Sequence, residues 1–510
     1  MLNFERLIVI TGKQEWKKAY IEEIEKLDQL YQEEERLYYE MYTEGTQSKR
    51  IDEITRIKHT LMTNKRLYKA ILSWRNTLSD SKVWKRRLDV LLFKMKQEEL
   101  DSHPEVKELQ QKLQSNLLES RFILNGKEYN LGTVHSNIME NPDRELRKQL
   151  FFEAKEIGRN HEELFRALIQ KRNKLAKDQG FSNYYHFRCS LKEININAFM
   201  EGMSDLIEQS EETFNHWDNR IKEKFGWEKI HYYDQYFSTF NFHQIQSSAF
   251  TTNRMEEMLS DIVNSLGIPM DQLPVKIESM EIPYGGFCLN INPNDLRLVV
   301  NKRDSYSVFL SGIHELGHAL DGHYSSYQYP ELYRFYSSIA AEAIAELFQT
   351  IITDQHFLKN NFDIQDEVYS QIREINQLTD LKMFKMNYYY CLVEFELYNS
   401  PEQSFQEIAN ECYLRVFGYE GETFHPASEM FYIENPVFFQ DYNYALAIRD
   451  MIREKFAVTS LYKETDLFQE LIDKFIGPNQ LYSWNQRLER LCGEPHTFTY
   501  LAKKLTNRNE

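Results

Sequence analysis

Two histidines four residues apart, in the run His314-Glu315-Leu316-Gly317-His318, constrain this chain more than any other feature of it. At that spacing the two rings share a face only if the segment is an α-helix. The flanks agree: Asp304-Ser305 offers an N-cap, Phe309, Ile313, Leu316 and Leu320 form a helical apolar stripe, and Gly322 is the expected stop. The pattern His-Glu-x-x-His arises by chance on the order of a few hundredths of a time in a chain of this length and histidine content, so it calls for a chemical reading. Two imidazoles one turn apart can converge on a tetrahedral metal ion, while Glu315 stands beside the open coordination position, placed to take a proton from a water there.

Two histidines need a third protein ligand. One arrangement, with a glycine three and a histidine six residues after the second histidine, fails here, because Gly322 and His323 fall at four and five. The segment from Ser337 to Phe348 opens with two capping serines and continues in strong helix formers. Within it Glu342 lies 24 residues past His318 and shares a face with Glu346, one turn on, amid Ala, Ile, Leu and Phe, so that face is expected to be covered. Glu342 is read as the metal ligand, completing a His₂Glu set for one Zn²⁺ per chain. Glu346 is read as the carboxylate that accepts the other ring N–H of a ligating histidine. The reverse assignment of the two carboxylates remains open at this point.

The rest of the sequence bounds the setting. A chain of 510 residues with 42% hydrophobic content can bury a large core, and no Gly/Pro-rich or Ser-rich linker divides it. Eighteen Gly and 12 Pro over that length, with long stretches of Glu, Lys, Leu and Gln, predict a mainly α fold with few strands. A net charge of −17 disfavours nucleic acid and anionic membranes as partners. Five scattered cysteines, Cys189, Cys288, Cys391, Cys412 and Cys492, form no CxxC pair and suggest neither a disulfide framework nor a cysteine metal site. The start, Met1 to Arg6, lacks the basic region and apolar core of a signal peptide, and no apolar run is long enough to cross a bilayer, so the expected compartment is the cytoplasm.

Along the chain, amphipathic helices are expected at Glu15 to Tyr42, Arg50 to Leu78 and Lys82 to Glu99, then at Arg144 to Lys177 and Ile194 to Lys224. The charge runs Glu33-Glu34-Glu35-Arg36 and Lys85-Arg86-Arg87 read as solvated helix faces, and the aromatics around His231-Tyr232-Tyr233 as core. Residues 282 to 300 are the best strand candidate: Phe287, Leu289 and Ile291 alternate, Asn292 to Asp295 is turn chemistry, and Leu296 to Val300 is β-prone. That predicts a hairpin beside the motif helix, whose edge could bind an extended peptide through its main chain.

The motif with Glu342 in a following helix resembles the helical gluzincin superfamily that contains thimet oligopeptidase, oligoendopeptidase F and angiotensin-converting enzyme. The Glu342-Ala343-Ile344 run is most similar to the converting-enzyme branch. Three further stretches carry the resemblance: Ile282-Pro283-Tyr284-Gly285-Gly286-Phe287-Cys288, similar to a glycine-rich edge strand that aligns substrate; Phe431 to Pro436 through Tyr442 and Ala445, similar to the element bearing a transition-state-stabilising tyrosine; and Gly180-Phe181 after the helix around Asn160 to Lys177. The likeness spans roughly residues 130 to 460.

The resemblance implies a two-lobed helical body with a deep central channel and a small β-sheet next to the motif helix, the N-terminal helices of residues 1–125 forming a lid and 126–510 the catalytic region. It implies a zinc-dependent metallopeptidase acting on short unstructured oligopeptides, with Glu315 as general base and Tyr442 as donor to the oxyanion. Gly285, Gly286, Phe287, His425, Tyr432 and Tyr444 are the expected substrate contacts. One departure stands out: the family places a histidine shortly before its catalytic tyrosine, where this chain has Tyr432, so either Tyr432 or His425 would take that part. Two rival readings are a carboxypeptidase, for which no Arg or Lys can be assigned to a terminal carboxylate, and a peptide-binding scaffold, which would not need Glu315. The sequence assigns no oligomeric state.

Overall fold

Helix-forming composition and well-marked caps dominate the structure, a computed structural model that describes residues 2–46, 48–245, 249–282, 285–362 and 364–506. As expected, it is mainly helical with a small three-stranded sheet. No helix among the described residues is long and apolar enough to cross a membrane. The chain divides into two units. The first comprises Met1–Glu99, Ile245–Tyr369 and Ala447–Thr497, the second Leu100–Gln244, Ser370–Leu446 and Phe498–Glu510.

In the first unit, helix Lys13–Glu44 runs until Gly45 adopts the left-handed conformation (φ 70°) that ends it. Its Trp16 stacks on Trp74 (ring centroids 4.8 Å apart) and on Tyr20 (5.2 Å), the centre of an aromatic and aliphatic cluster. The single helix expected over Arg50 to Leu78 is two, Lys49–Met62 and Lys65–Thr77, because the Asn64 side chain accepts from the N–H groups of Arg66 and Leu67 and starts a new helix. The charge runs are not wholly solvated faces either. Arg87 is 3% exposed, paired with the fully buried Glu331 and lying over the rings of Trp84 and Tyr329, and Glu34 is buried against Lys58. Pairing and aromatic stacking offset the desolvation that makes lone buried charges rare.

The sheet of this unit holds Val275–Met280, Gly286–Asn292 and Asp295–Asn301, with the last in the middle. The expected hairpin is present: Gly286–Asn292 pairs antiparallel with Asp295–Asn301 and forms an edge. Val275–Met280, parallel to the central strand, carries too weak an alternation to be read beforehand. The motif helix, Tyr306–Tyr324, follows directly, with the Ser305 hydroxyl accepting from Val308 N–H. It does not stop at Gly322. A Cβ there would lie 2.5 Å from Asn290 Cγ, so this glycine admits the edge strand rather than ending the helix. Gly317 does the same for the helix Ser338–Gln349: a Cβ would come within 2.7 Å of Ala345 Cα. The two helices that carry the motif histidines and Glu342 therefore cross in close backbone contact.

In the second unit, the expected helix from Arg144 to Lys177 is again two, Arg144–Asn160 and Glu162–Asp178, the second opening with Glu162 and Glu163 where a helix dipole favours acids. Gly180 (φ 88°) turns the chain after it, and Phe181 N–H returns to Ala176 O. Tyr232 and Tyr233 are buried core residues, and a buried ion pair joins Arg147 to Asp234 at 2.8 Å. A short hairpin, Phe122–Leu124 with Lys127–Tyr129, turns on Asn125-Gly126, both at positive φ as a type I′ turn requires. All five cysteines are free, and Cys189, Cys391 and Cys412 are buried.

Candidate metal centre

Helical spacing brings the two motif rings edge to face, with Nε2 of His314 and Nε2 of His318 3.1 Å apart. Glu342, from the crossing helix, points Oε2 at both, 3.5 Å from His314 Nε2 and 3.9 Å from His318 Nε2. Ligands on a tetrahedral zinc at the usual bond lengths of about 2.0 to 2.2 Å lie roughly 3.3 to 3.5 Å from one another, so the three donors fit such an ion. Among the described residues this is the one group of three His, Cys, Asp or Glu side chains whose donor atoms all lie within 4.8 Å of one another.

The electrostatics agree with a ligand role. Burial lowers the pKa of His318 to about 4, helped by the neighbouring His314 and opposed by Glu342, so its ring is neutral near pH 7 with a lone pair to give. Burial also holds His314 down, opposed by the carboxylate of Glu346. Glu315 is pushed up to about 8, first by burial and then by the charge of Glu342, while a backbone N–H from Cys288 pulls the other way. A carboxylate with its affinity for protons raised is suited to general base work.

The edge strand beside Glu315 has a definite polarity. Gly285 O accepts from Asn301 N–H (2.9 Å), so in this antiparallel register the odd-numbered residues bond to the central strand and the even-numbered ones turn their main chain outward. Cys288 N–H is one of the outward groups, and it is the one that meets Glu315. At Gly286 a Cβ would lie 2.9 Å from Val299 O and 3.2 Å from Glu315 Cγ, so any side chain there would press on the candidate base. Farther along, Arg334 donates to Asn290 O (3.2 Å) and to Ile291 O, ending the open stretch of edge. Phe287 points to the other face, its ring against Tyr42 at 5.7 Å. Pro283 and Tyr284, read with this strand, lie outside the described residues.

Behind His314 stands a group that the motif alone does not announce. The amide nitrogen of Gln349 meets Nδ1 of the His314 ring and also lies 3.4 Å from Glu346 Oε1. Glu346 Oε2 in turn accepts from Arg449 at 3.2 Å. Arg449 forks onto Asp450 (3.0 and 2.9 Å), which Arg453 also holds at 3.0 Å. Glu346 thus sits one residue removed from the ring. Gln349 was findable by running the face of Glu342 and Glu346 one more turn, since 342, 346 and 349 follow helical spacing.

The remaining expected residues lie in the second unit. Tyr442 is half-buried in helix Phe439–Phe456, its ring 5.3 Å from that of Phe438. Tyr444 is packed between Phe199 and Phe498 (5.3 and 5.5 Å), and burial raises its hydroxyl pKa. Tyr432 is 2% exposed and donates to Tyr390 O at 3.0 Å. His425 is fully buried, Nε2 against Glu162 (2.9 Å) and Nδ1 accepting from Ala427 N–H (3.2 Å). In this arrangement neither His425 nor Tyr432 presents an exposed donor, because both are spent on internal bonds.

No protein-family model and no curated protein sequence matches this chain. Solved structures do. PZ peptidase A, solved with an inhibitor, superposes with a TM-score of 0.70 over 98% of this chain and 95% of its own, at 13% identity. A protein described as an oligoendopeptidase F matches with a TM-score of 0.70 over 98% and 93%, also at 13% identity. The chain has the fold of these peptidases. Near-complete coverage of both partners means that the likeness embraces the whole architecture rather than the motif alone.

Proposed function

We propose that this chain is a zinc-dependent metallopeptidase that hydrolyses short, unstructured oligopeptides. The observation that carries the reading is the triangle of His314 Nε2, His318 Nε2 and Glu342 Oε2, with the carboxylate of Glu315 beside it and the outward edge of Gly286–Asn292 next to that. His314, His318 and Glu342 would hold the ion. Bound there, zinc supplies an acidified water and polarises a scissile carbonyl.

The chain's own residues do the rest. Glu315, oriented by Cys288 N–H, takes the proton of the attacking water and passes it to the leaving amine. The outward main-chain groups of Gly286 and the carbonyl of Cys288 align an extended substrate by strand pairing, which gives affinity with little regard for side chains. The ladder is short because Arg334 occupies the next carbonyls. Tyr442 is assigned the hydrogen bond to the oxyanion; this part rests on the sequence resemblance, and Tyr442→Phe should lower kcat by about 10²-fold with little change in KM. The fold shared with PZ peptidase A and the oligoendopeptidase F supports peptide substrates.

Two measurements test the reading together. Metal analysis of the purified protein should return about one zinc per chain, and a peptide library of graded length, with products identified by mass, should show internal cleavage of short members. A protein that binds zinc but cuts no peptide would leave only a scaffold, and release of single C-terminal residues would favour a carboxypeptidase.

A further inference from the structure

We infer that Gln349 sets the ring tautomer of His314 and, through it, the affinity of the centre for its metal. This rests on the metallopeptidase reading above. Nε2 of His314 faces His318 Nε2 and Glu342 Oε2 at 3.1 and 3.5 Å, so it is the ring nitrogen that must give its lone pair to the ion. A neutral imidazole that offers Nε2 carries its proton on Nδ1, and that proton needs an acceptor. The atom that meets Nδ1 in the structure is the amide nitrogen of Gln349, a donor, so the acceptor arrangement is reached by turning the amide over.

A carboxamide differs from a carboxylate in one decisive respect: it can offer either an acceptor or a donor. With its oxygen toward the ring it accepts from Nδ1–H and favours the ligand tautomer. With its nitrogen toward the ring it donates to Nδ1 and moves the ring proton to Nε2, where a metal would have to bind. The two orientations differ by a half-turn of the amide. Glu346 lies 3.4 Å from the same amide nitrogen and is held by Arg449, so the neighbouring carboxylate favours the nitrogen-inward orientation that the structure shows. Metal binding at Nε2 and rotation of the Gln349 amide are therefore linked, and a residue that accepts only would remove the competing state.

Zinc affinity, measured by chelator competition on the purified protein, separates these roles. Gln349→Met keeps the length and removes the polar group; it should bind zinc about 10- to 100-fold more weakly, the usual cost of losing an outer hydrogen-bond partner. Gln349→Glu keeps the acceptor and removes the donor; it should bind at least as tightly as the wild type. The melting temperature of the metal-free proteins reports any general damage, which would lower both variants in melting without ordering their affinities in this way. Equal affinity in Gln349→Met and wild type, or weakening in Gln349→Glu as large as in Gln349→Met, would overturn the inference while leaving the metal site intact. A wild type that takes up no zinc would instead overturn the metallopeptidase reading on which it stands. Should Gln349→Met not fold, Gln349→Ala takes its place, since it too removes both polar atoms of the amide and should show the same weakening.

Discussion

At the residue scale, the proposed ligand and the proposed base are separable. His318 contributes a donor atom, so His318→Ala should abolish stoichiometric zinc. Glu315 contributes none of the three donors, so Glu315→Gln should retain zinc while turnover falls by several orders of magnitude. Parallel metal analysis and peptide assays check both, and a Glu315→Gln protein of undiminished activity would remove Glu315 from the mechanism. These residues were legible because metal ligation demands particular side chains at fixed spacing. Gln349 shares the helical face of Glu342 and Glu346, but a neutral amide matches no such demand, so its position alone does not assign it a part. His425 and Tyr432 were nominated in another way. Position along the chain nominated them, but burial and internal bonds, which no local pattern reveals, have already claimed their polar atoms.

At the element scale, turn chemistry was the most readable signal. Asn292 to Asp295 marked the hairpin and Ser305 the start of the motif helix, because both act through bonds to near neighbours in sequence. Glycine was ambiguous for a physical reason: it ends helices, and it also admits another backbone. Gly322 and Gly317 do the second. For Gly317 two effects compete, a helix-propensity gain of about 1 kcal/mol on conversion to Ala and an overpacking cost of about 1 to 3 kcal/mol where the new methyl meets unyielding backbone. With Ala345 Cα only 2.7 Å from the added Cβ, overpacking wins. Gly317→Ala should unfold at lower urea and, because Ala345 lies on the helix of Glu342, should also bind zinc more weakly. A variant more stable than wild type would mean that the two helices can separate at no cost.

At the scale of the whole molecule, composition announced a helical body, yet nothing local announced that each unit draws on three separate stretches of chain, because no linker marks the crossings. Stability should carry the imprint of groups that only the folded state buries. Glu394 accepts Val437 N–H with both oxygens (2.9 and 3.0 Å), and burial raises its pKa to about 8. A folded pKa above the unfolded value means that the folded state binds the extra proton, so the stability tied to this group is fully present below about pH 4.5 and is lost as pH rises through 8. Glu394→Gln cannot ionise, so relative to wild type it should gain stability steadily across that window; a constant difference in melting temperature from pH 4.5 to 8 would show that the carboxyl is ionised throughout.

The metal should leave the larger mark. An ion that binds the folded centre and not the unfolded chain stabilises by about 4 kcal/mol at a free concentration 1,000 times its dissociation constant. The three candidate ligands come from two helices of the first unit that cross at Gly317, so a bound ion would fasten those helices to each other. Chelation should therefore lower the thermal transition of the wild type, and zinc should restore it in a concentration-dependent way. His318→Ala, lacking one donor, should melt at the same temperature with chelator or with zinc. If the wild type proved equally indifferent, the triangle of His314, His318 and Glu342 would hold no ion that matters to the fold.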